Sequence, residues 1–509
     1  MAESNKMKDM PVNKLLLTMA APMVLSMLIG ALYNVVDSLF VSHYGENALS
    51  AVSLAFPIQN IIIATGTGIG VGINALLSRY LGEKKQKAVN QTAMHGIILG
   101  VGFYVLILLF GIFCVRRFYT VQTNDAEIVS MGIDYLTVIC VFGFGQMFQL
   151  IFEKILQSTG RTSYTMVMQI VGAVINIILD PIFIFGYFGL PAMGTRGAAI
   201  ATVTGQIIAM LMGLYFNLTK NKDVQLTFKS FEVENYYFRG ICTVGIPTII
   251  MQSMSSVMCF GINKLLLNFS TTATAVFGAY FKLQTFVYMA IFGLNNALIP
   301  IVAFNLGAKH ADRIKKVIRL SGVYSALIGL VGLIIMEMWP VQLISAFAPS
   351  EEMFSLGVTA LRILGLSFVF GGISVMTCYA LQGFSRGISS LIISALRQVI
   401  ILLPLASFLG KVIGINGIWW SFLISETVTV VLAVIYIGIA EKKELITCNN
   451  GNREEKIKTA YIFEKISTHL LIMEVDFCPV LCIPEVPVLQ AFRGISHFVW
   501  YCKAVSDLS

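Results

Sequence analysis

Charged residues are scarce in this chain of 509 residues: they make up 12% of it, whereas hydrophobic residues make up 57%. A soluble protein carries about 25% charged residues, so this chain has too little polar surface to face water on all sides. A soluble globular protein is therefore excluded, and the composition predicts an integral membrane protein. The formal net charge of +8 does not indicate nucleic-acid binding, because the basic residues stand in short clusters between apolar stretches.

Motifs for metal, cofactor and enzyme chemistry are also missing. The nine cysteines are scattered, several of them within apolar stretches, which predicts buried thiols and no disulfide framework. His43, His95 and His310 lie at or near the ends of apolar stretches, where we expect solvated or interfacial side chains. The sequence contains no HExxH motif and no paired nucleophile and base, so we predict no metal, no cofactor and no enzymatic activity.

Twelve apolar stretches are long enough to cross a bilayer, since a helix needs about 20 residues for a hydrocarbon core of about 30 Å. A backbone in hydrocarbon must satisfy its own hydrogen bonds, so each stretch is predicted to be a helix. The predicted helices cover residues 14–40, 50–78, 91–115, 131–153, 164–188, 195–218, 240–264, 274–303, 316–340, 355–383, 389–410 and 416–439.

Basic residues indicate which loops stay in the cytoplasm, because Lys and Arg next to membrane helices are retained on that side. The loops on the side of the N-terminus hold 21 of them, including Lys154 and the clusters 84–87 and 309–319, and the alternate loops hold five. This asymmetry predicts a multi-pass protein of the cell membrane with both termini in the cytoplasm. Such a topology requires an even number of crossings.

The sequence repeats itself after about 225 residues. At this offset Leu81–Lys84 aligns with Leu306–Lys309, and Arg161 aligns with Arg386. Six helices are therefore duplicated, and because six is even both copies enter the membrane from the same side and face each other across a central cavity. The predicted fold class is an all-α integral membrane protein with twelve transmembrane helices in two pseudo-symmetric six-helix bundles.

The repeat divides the chain into four parts. Residues 1–218 form the predicted N-lobe, with the first six helices, and residues 240–440 form the C-lobe, with the other six. Residues 219–239 are a cytoplasmic linker. The composition changes after Glu441, and residues 441–509 are a cytoplasmic tail whose role the sequence does not indicate.

Ionisable residues inside a membrane helix are costly, so each is a candidate functional residue. Asp37 lies in the first predicted helix and Asp180 in the fifth. Residues three and four apart share one face of a helix. Tyr33 and Asn34 therefore share a face with Asp37, and Asn176 shares a face with Asp180.

A third polar face, on the sixth helix, carries Thr202 and Gln206. Counted from the predicted membrane edges, all three faces lie in the outer half of the N-lobe, where we expect them to meet. Two carboxylates with amide and hydroxyl oxygens suit either a proton relay or a hard cation such as Na⁺. Pro181 and Pro22 each free a backbone carbonyl one turn earlier, so both helices are predicted to bend there.

The C-lobe has no counterpart of Asp37 or Asp180 at the repeat offset, so we expect the coupling ion to bind only in the N-lobe. Other ionisable residues lie in the C-lobe helices, namely Lys282, Arg397 and Glu426. They are candidates for substrate contact, and an ion pair with a purely structural role is an equally good interpretation.

Several of these strings resemble the multidrug and toxic compound extrusion (MATE) family. The resemblance rests on Tyr33–Ser42 (YNVVDSLFVS), Leu156–Arg161 (LQSTGR), Asn176–Pro181 (NIILDP) and Gly197–Thr202 (GAAIAT), and it covers about residues 10–440. It implies a two-lobe antiporter that exchanges amphipathic, often cationic, compounds for H⁺ or Na⁺. Drugs or toxic metabolites would be the substrates, and we expect a monomer in the lipid bilayer.

By position, Asp37, Asn176, Asp180 and Thr202 resemble the N-lobe cation site of the branch related to the bacterial DNA-damage-inducible protein F, and Pro22 resembles its bending proline. The acid that another branch carries on helix 7 is absent here. The alternative function is a flippase of lipid-linked oligosaccharides from the same superfamily. Such a flippase would need a cavity lined with several Arg residues and commonly has fourteen helices.

Overall fold

Long helices account for most of the chain in the computed structural model, which describes residues 6–227, 231–347 and 349–449. Ten helices are long and apolar enough to cross a membrane, and two further spans each consist of two helices that meet at an angle of 41° or 45°. No strand occurs among the described residues. The prediction of an all-α membrane protein is confirmed, with twelve spans when each bent pair is counted once.

The twelve spans are numbered in chain order. They are α1 (Val12–Tyr44), α2 (Glu46–Gly82), α3 (Gln86–Phe113), α4 (Ala126–Val141 with Phe144–Ser158), α5 (Thr162–Phe185), α6 (Gly194–Thr219), α7 (Asn235–Leu267), α8 (Thr271–Gly307), α9 (Ala311–Met338), α10 (Glu351–Gly365 with Ser367–Gly383), α11 (Gly387–Ile413) and α12 (Ile415–Asn449). Short helices at Lys6–Asp9, Val115–Gln122, Tyr187–Gly189 and Pro340–Ser345 lie outside these spans.

The backbone repeats at the offset found in the sequence. Lys84 follows α2 with a φ of 58°, and Lys309 follows α8 with a φ of 60°. Gly160 and Ser385, which are also 225 residues apart in the sequence, have φ values of 78° and 61°. A non-glycine residue with positive φ is uncommon, so its recurrence at equivalent turns is strong support for two pseudo-symmetric bundles.

The two lobes touch at the end of the molecule that carries most of the basic loops, which we call the basic-rich end. There α2 packs against α7 and α8, and α1 packs against α8. The repeated glycines Gly82 and Gly307 meet across this contact. A Cβ on Gly82 would stand 2.0 Å from the carbonyl oxygen of Phe304, and a Cβ on Gly307 would stand 2.1 Å from that of Arg79. Only glycine fits at these two places.

The N-terminal segment adds to the contact at the basic-rich end. The Arg313 guanidinium at the start of α9 donates hydrogen bonds of 2.9 Å to the carbonyl oxygens of Met7 and Met10.

His95 of α3 is fully buried, and its Nε2 accepts a 3.0 Å hydrogen bond from the Glu234 backbone N–H just before α7. The expectation of a solvated His95 is therefore wrong, because the linker covers this part of α3.

Substitution of Gly82 by alanine is expected to weaken the contact between the lobes. The added methyl group must displace the α8 backbone, and overpacking of this kind costs about 1–3 kcal/mol. Thermal unfolding of the purified protein measures the loss. Gly102 of α3 is the matched control, since no atom lies within 4 Å of a Cβ placed there. Equal melting temperatures for Gly82→Ala and Gly102→Ala would show that the glycine contact is not needed.

The predicted part boundaries at residues 218, 240 and 440 stay predictions. Helix α7 begins at Asn235, inside the predicted linker, and α12 continues to Asn449, beyond Glu441. The remainder of the predicted tail, residues 450–509, lies outside the described residues.

Candidate functional site

A buried polar cluster lies between α5 and α6 in the N-lobe. The two helices approach closely because Gly172 and Gly205 face each other, so that a Cβ on Gly205 would stand 2.6 Å from the Gly172 carbonyl oxygen. One turn away, the Asn176 Nδ2 donates hydrogen bonds of 3.2 Å to Asp180 Oδ1 and to Thr202 Oγ1. Asp180 has no exposed surface. The short helix separation thus holds these three side chains together.

Helix α1 contributes two more side chains. Helix α1 packs against α5 and brings Asp37 and Tyr33 close enough to Asp180 to interact with it electrostatically. We call the five residues Tyr33, Asp37, Asn176, Asp180 and Thr202 the acid cluster.

The acid cluster has more acceptors than donors. Asp37 Oδ1, Asn176 Oδ1 and Asp180 Oδ2 are buried, and no described residue donates a hydrogen bond to them. Buried polar atoms are nearly always paired. Oxygen ligands of this kind suit a proton or a hard cation. The donor set combines two acids with neutral amide and hydroxyl oxygens.

Two members of the predicted polar faces do not join the cluster. Asn34 is exposed, and its backbone carbonyl accepts a 2.9 Å hydrogen bond from Ser38 Oγ. Gln206 is half-buried and lies beyond the hydrogen bonds described for the cluster. Spacing along a helix shows only which residues lie on the same side of it. Which of them point into the lobe depends on how packing rotates α1 and α6 about their axes.

Gln59 and Tyr135 form a polar pair near the acid cluster that was not predicted from the sequence. The Gln59 Nε2 donates a 2.7 Å hydrogen bond to the Tyr135 hydroxyl, and Tyr135 is close enough to Asp37 and Tyr33 to interact with them electrostatically. Each of the pair stands beside another polar residue, Asn60 or Asp134, and only the packing of α2 on α4 brings the two side chains together.

The two predicted bending prolines lie within continuous helices. Helix α1 runs through Pro22 and helix α5 through Pro181. Ser26 Oγ donates a 2.9 Å hydrogen bond to the Pro22 carbonyl oxygen. The role of both prolines in bending stays a prediction.

A second buried charged group lies where the lobes meet. Lys154 was assigned to the cytoplasmic loop charges, but it lies within α4 and only 2% of it is exposed. Its Nζ donates a 2.8 Å hydrogen bond to Asn296 Oδ1 of α8 in the other lobe. The stem of Lys154 crosses α2 at Gly70, where a Cβ would stand 2.6 Å from Lys154 Cγ. The neighbouring Glu153 accepts a 2.7 Å hydrogen bond from Gln157 Nε2.

Of the C-lobe candidates, two pair with each other and one does not. Arg397 of α11 and Glu426 of α12 form an ion pair with a distance of 3.0 Å between Nε and Oε1. Lys282 of α8 is exposed, and the described residues offer it no ion pair. The interpretation as an ion pair thus fits Arg397 and Glu426.

A protein-family model described as MatE matches residues 22–182 and 247–408. The chain belongs to the MatE family. The two matched segments begin 225 residues apart, as the repeat in sequence and backbone requires. The resemblance to the MATE family is confirmed by this match.

MatE proteins with curated names are similar to most of the chain. The multidrug export protein MepA of Staphylococcus saprophyticus is 26% identical over 423 residues, which is 82% of this chain and 92% of that protein. A FAD transporter of Shewanella oneidensis is 26% identical over 422 residues, with the same coverage of both chains.

Solved structures of MatE proteins show the same fold. A multidrug resistance MATE family transporter of the MOP superfamily in an outward-facing conformation superposes with a TM-score of 0.82 and 23% identity, over 87% of this chain and 98% of that one. A MOP superfamily transporter from Pyrococcus furiosus, described as having a binding pocket of reverse polarity, superposes with a TM-score of 0.81 and 23% identity, over 88% of this chain and 99% of that one. At this identity the likeness establishes the fold alone.

Proposed function

We propose that this MatE protein is a secondary active multidrug efflux antiporter that exports amphipathic, often cationic, compounds in exchange for H⁺ or Na⁺. The observation that carries the proposal is the acid cluster, in which two carboxyl groups of a membrane lobe share one buried space. Ionisable groups in such positions are expensive and mark ion pathways. The multidrug export proteins among the relatives support the assignment of drugs as substrates.

Helix α1 links the acid cluster to the contact between the lobes. Its outer half carries Tyr33 and Asp37, and its other half packs Val24 against the backbone of Gly293 on α8. Uptake of a proton or cation removes the repulsion between Asp37 and Asp180, which changes the position that α1 prefers beside α5 and α6. A movement of α1 then acts on the contact with α8. This is alternating access between two lobes, driven from one of them.

The state that the structure shows is sealed at the basic-rich end, where α1, α2, α7 and α8 meet. The positive-inside rule places this end in the cytoplasm of the cell. Under this proposal the structure is closed toward the cytoplasm, and the acid cluster lies in the outer half of the N-lobe. Both termini would then be cytoplasmic.

Transport into proteoliposomes tests the proposed function. Purified protein is reconstituted, and uptake of ethidium and of a fluoroquinolone is measured with a pH gradient or a Na⁺ gradient imposed separately. We expect accumulation that depends on one of the gradients and is absent from liposomes without protein. Accumulation under neither gradient, from protein that remains folded, would refute the antiporter. The gradient that supports uptake identifies the coupling ion.

A further inference from the structure

The ion pair between Arg397 and Glu426 in the C-lobe is buried, and a contribution to stability alone does not explain its presence there. The side chains of Arg397 and Glu426 are 12% and 10% exposed. An ion pair at this burial loses hydration energy that its mutual attraction hardly recovers, so it is weak evidence for stability. At the equivalent repeat position the N-lobe has Gly172, which packs directly on α6. The charge is therefore not a requirement of the bundle.

Helix α11 changes locally from an α-helix to a π-helix at Arg397. Residues Leu396–Ile400 form a π-helical turn, and the Ile401 N–H donates a 3.0 Å hydrogen bond to the Leu396 carbonyl oxygen five residues earlier. Ser425 Oγ of α12 donates a 2.9 Å hydrogen bond to the Arg397 carbonyl oxygen. Single π-helical turns are rare and are frequent at functional sites.

Neighbouring helices hold the guanidinium in one orientation. Arg397 Cζ lies 5.6 Å from the centre of the Tyr288 ring of α8, as in a cation–π contact. Gly371 of α10 makes room for this arrangement, because a Cβ there would stand 2.1 Å from the Tyr288 hydroxyl and 3.4 Å from Glu426 Oε1. Four helices thus contribute to one small polar space inside the C-lobe.

The guanidinium has donors that this arrangement does not use. Arg carries five N–H donors in a planar fork. Arg397 Nε lies 3.0 Å from Glu426 Oε1, but no described residue accepts a hydrogen bond from it. Among the described residues none accepts a hydrogen bond from its two Nη atoms. A fixed guanidinium with a free edge matches the two oxygens of a carboxylate in a bidentate pair.

We propose that Arg397, oriented by Glu426 and Tyr288, forms a second binding site of this transporter, which takes the carboxylate group of an amphipathic substrate. The inference rests on the proposed function and names a substrate class for it. A compound that is only cationic gains nothing at this site, because the single carboxylate there is already held by Arg397.

The groups that surround Arg397 allow this assignment. They are Glu426 on α12, Tyr288 and Tyr280 on α8, and Cys378 on α10. Glu426 is the one carboxylic acid among them, so the ion pair is neutral as a whole and does not repel an anionic group as an unpaired acid would. The acid cluster in the N-lobe stays available for the coupling ion.

A matched pair of substrates tests the proposal. A fluoroquinolone and its methyl ester differ in one carboxylate, and their binding to purified protein and uptake into proteoliposomes are measured side by side. In Arg397→Gln/Glu426→Gln, which removes both charges and leaves no orphaned one, we expect the affinity for the acid relative to the ester to fall about tenfold, the effect of losing a charge-assisted hydrogen bond. Arg397→Lys keeps the positive charge but loses the planar guanidinium, and it should also lower the affinity for the acid relative to the ester.

The control is the exposed ion pair of the same lobe, Glu337 with Arg362, at 3.8 Å. Glu337→Gln/Arg362→Gln should leave the ratio of acid to ester at the wild-type value. A ratio that is unchanged in both Arg397 variants, or equal losses for acid and ester, would overturn the carboxylate site. If wild-type protein transports neither compound but binds the acid through Arg397, the proposed function fails and the site stands.

Discussion

Replacement of Asp180 by asparagine is expected to reduce drug export that depends on an ion gradient by at least about tenfold. Asparagine has the same shape, but it can neither take up a proton nor offer a negative charge to a cation. The rate of ethidium efflux from cells that produce the variant measures the effect, and proteoliposomes with an imposed gradient confirm its origin.

Asp134 supplies the control for this substitution. It is an exposed acid on α4 of the same lobe, so Asp134→Asn removes the same charge from the lobe without touching the acid cluster. We expect export near the wild-type rate from that variant. Wild-type export rates from both Asp37→Asn and Asp180→Asn would contradict the proposal that the acid cluster couples drug export to the ion gradient.

The membrane helices could be predicted from the sequence because their cause is local. Each needs a run of apolar residues and nothing more, so all twelve predicted stretches coincide with spans in the structure. The bends in α4 and α10 were not predicted. Phe142 and Gly143 interrupt α4, but isolated residues of this kind also occur in straight helices. Whether a helix bends there depends on its neighbours.

Helical spacing predicted the part of the candidate site in which residues of one helix share a face. Asp180 and Asn176 lie on one face and do point the same way, and α1 brings Asp37 to them. The spacing could not decide between Tyr33 and Asn34, since both are compatible with the face of Asp37 and only the packing of α1 on α5 fixes its rotation. The role of the acid cluster in coupling remains a proposal.

The burial of Lys154 could not be predicted from the sequence, for a physical reason. Lys and Arg near helix ends are usually retained in cytoplasmic loops, so Lys154 was interpreted as a topology signal. The structure instead buries it between lobes, where its acceptor Asn296 lies 142 residues away in sequence. No local pattern connects two such residues. A contact of this kind becomes visible only when both lobes are packed together.

Lys154→Met is expected to shift the protein away from the state that is sealed at the basic-rich end. Methionine keeps most of the apolar stem on Gly70 but removes the donor to Asn296, so the bond that joins the lobes is lost. A hydrogen bond from a charged group contributes about 1.5–3 kcal/mol, which changes the ratio of two conformations about tenfold or more. Asn296→Asp should act in the opposite direction, because it converts the bond into a charged pair.

Spin labels on both lobes measure this shift. Phe188 and Val412 are exposed residues of the N-lobe and C-lobe at the end opposite the basic-rich end, and double electron–electron resonance reports the distance between labels introduced there in a cysteine-free background. We expect shorter distances to gain population in Lys154→Met and to lose it in Asn296→Asp, whose tighter seal should also slow export. Lys264→Met removes an exposed lysine of α7 and should give the wild-type distribution. The same distribution from Lys154→Met would mean that the glycine and apolar contacts hold the lobes together without the buried lysine.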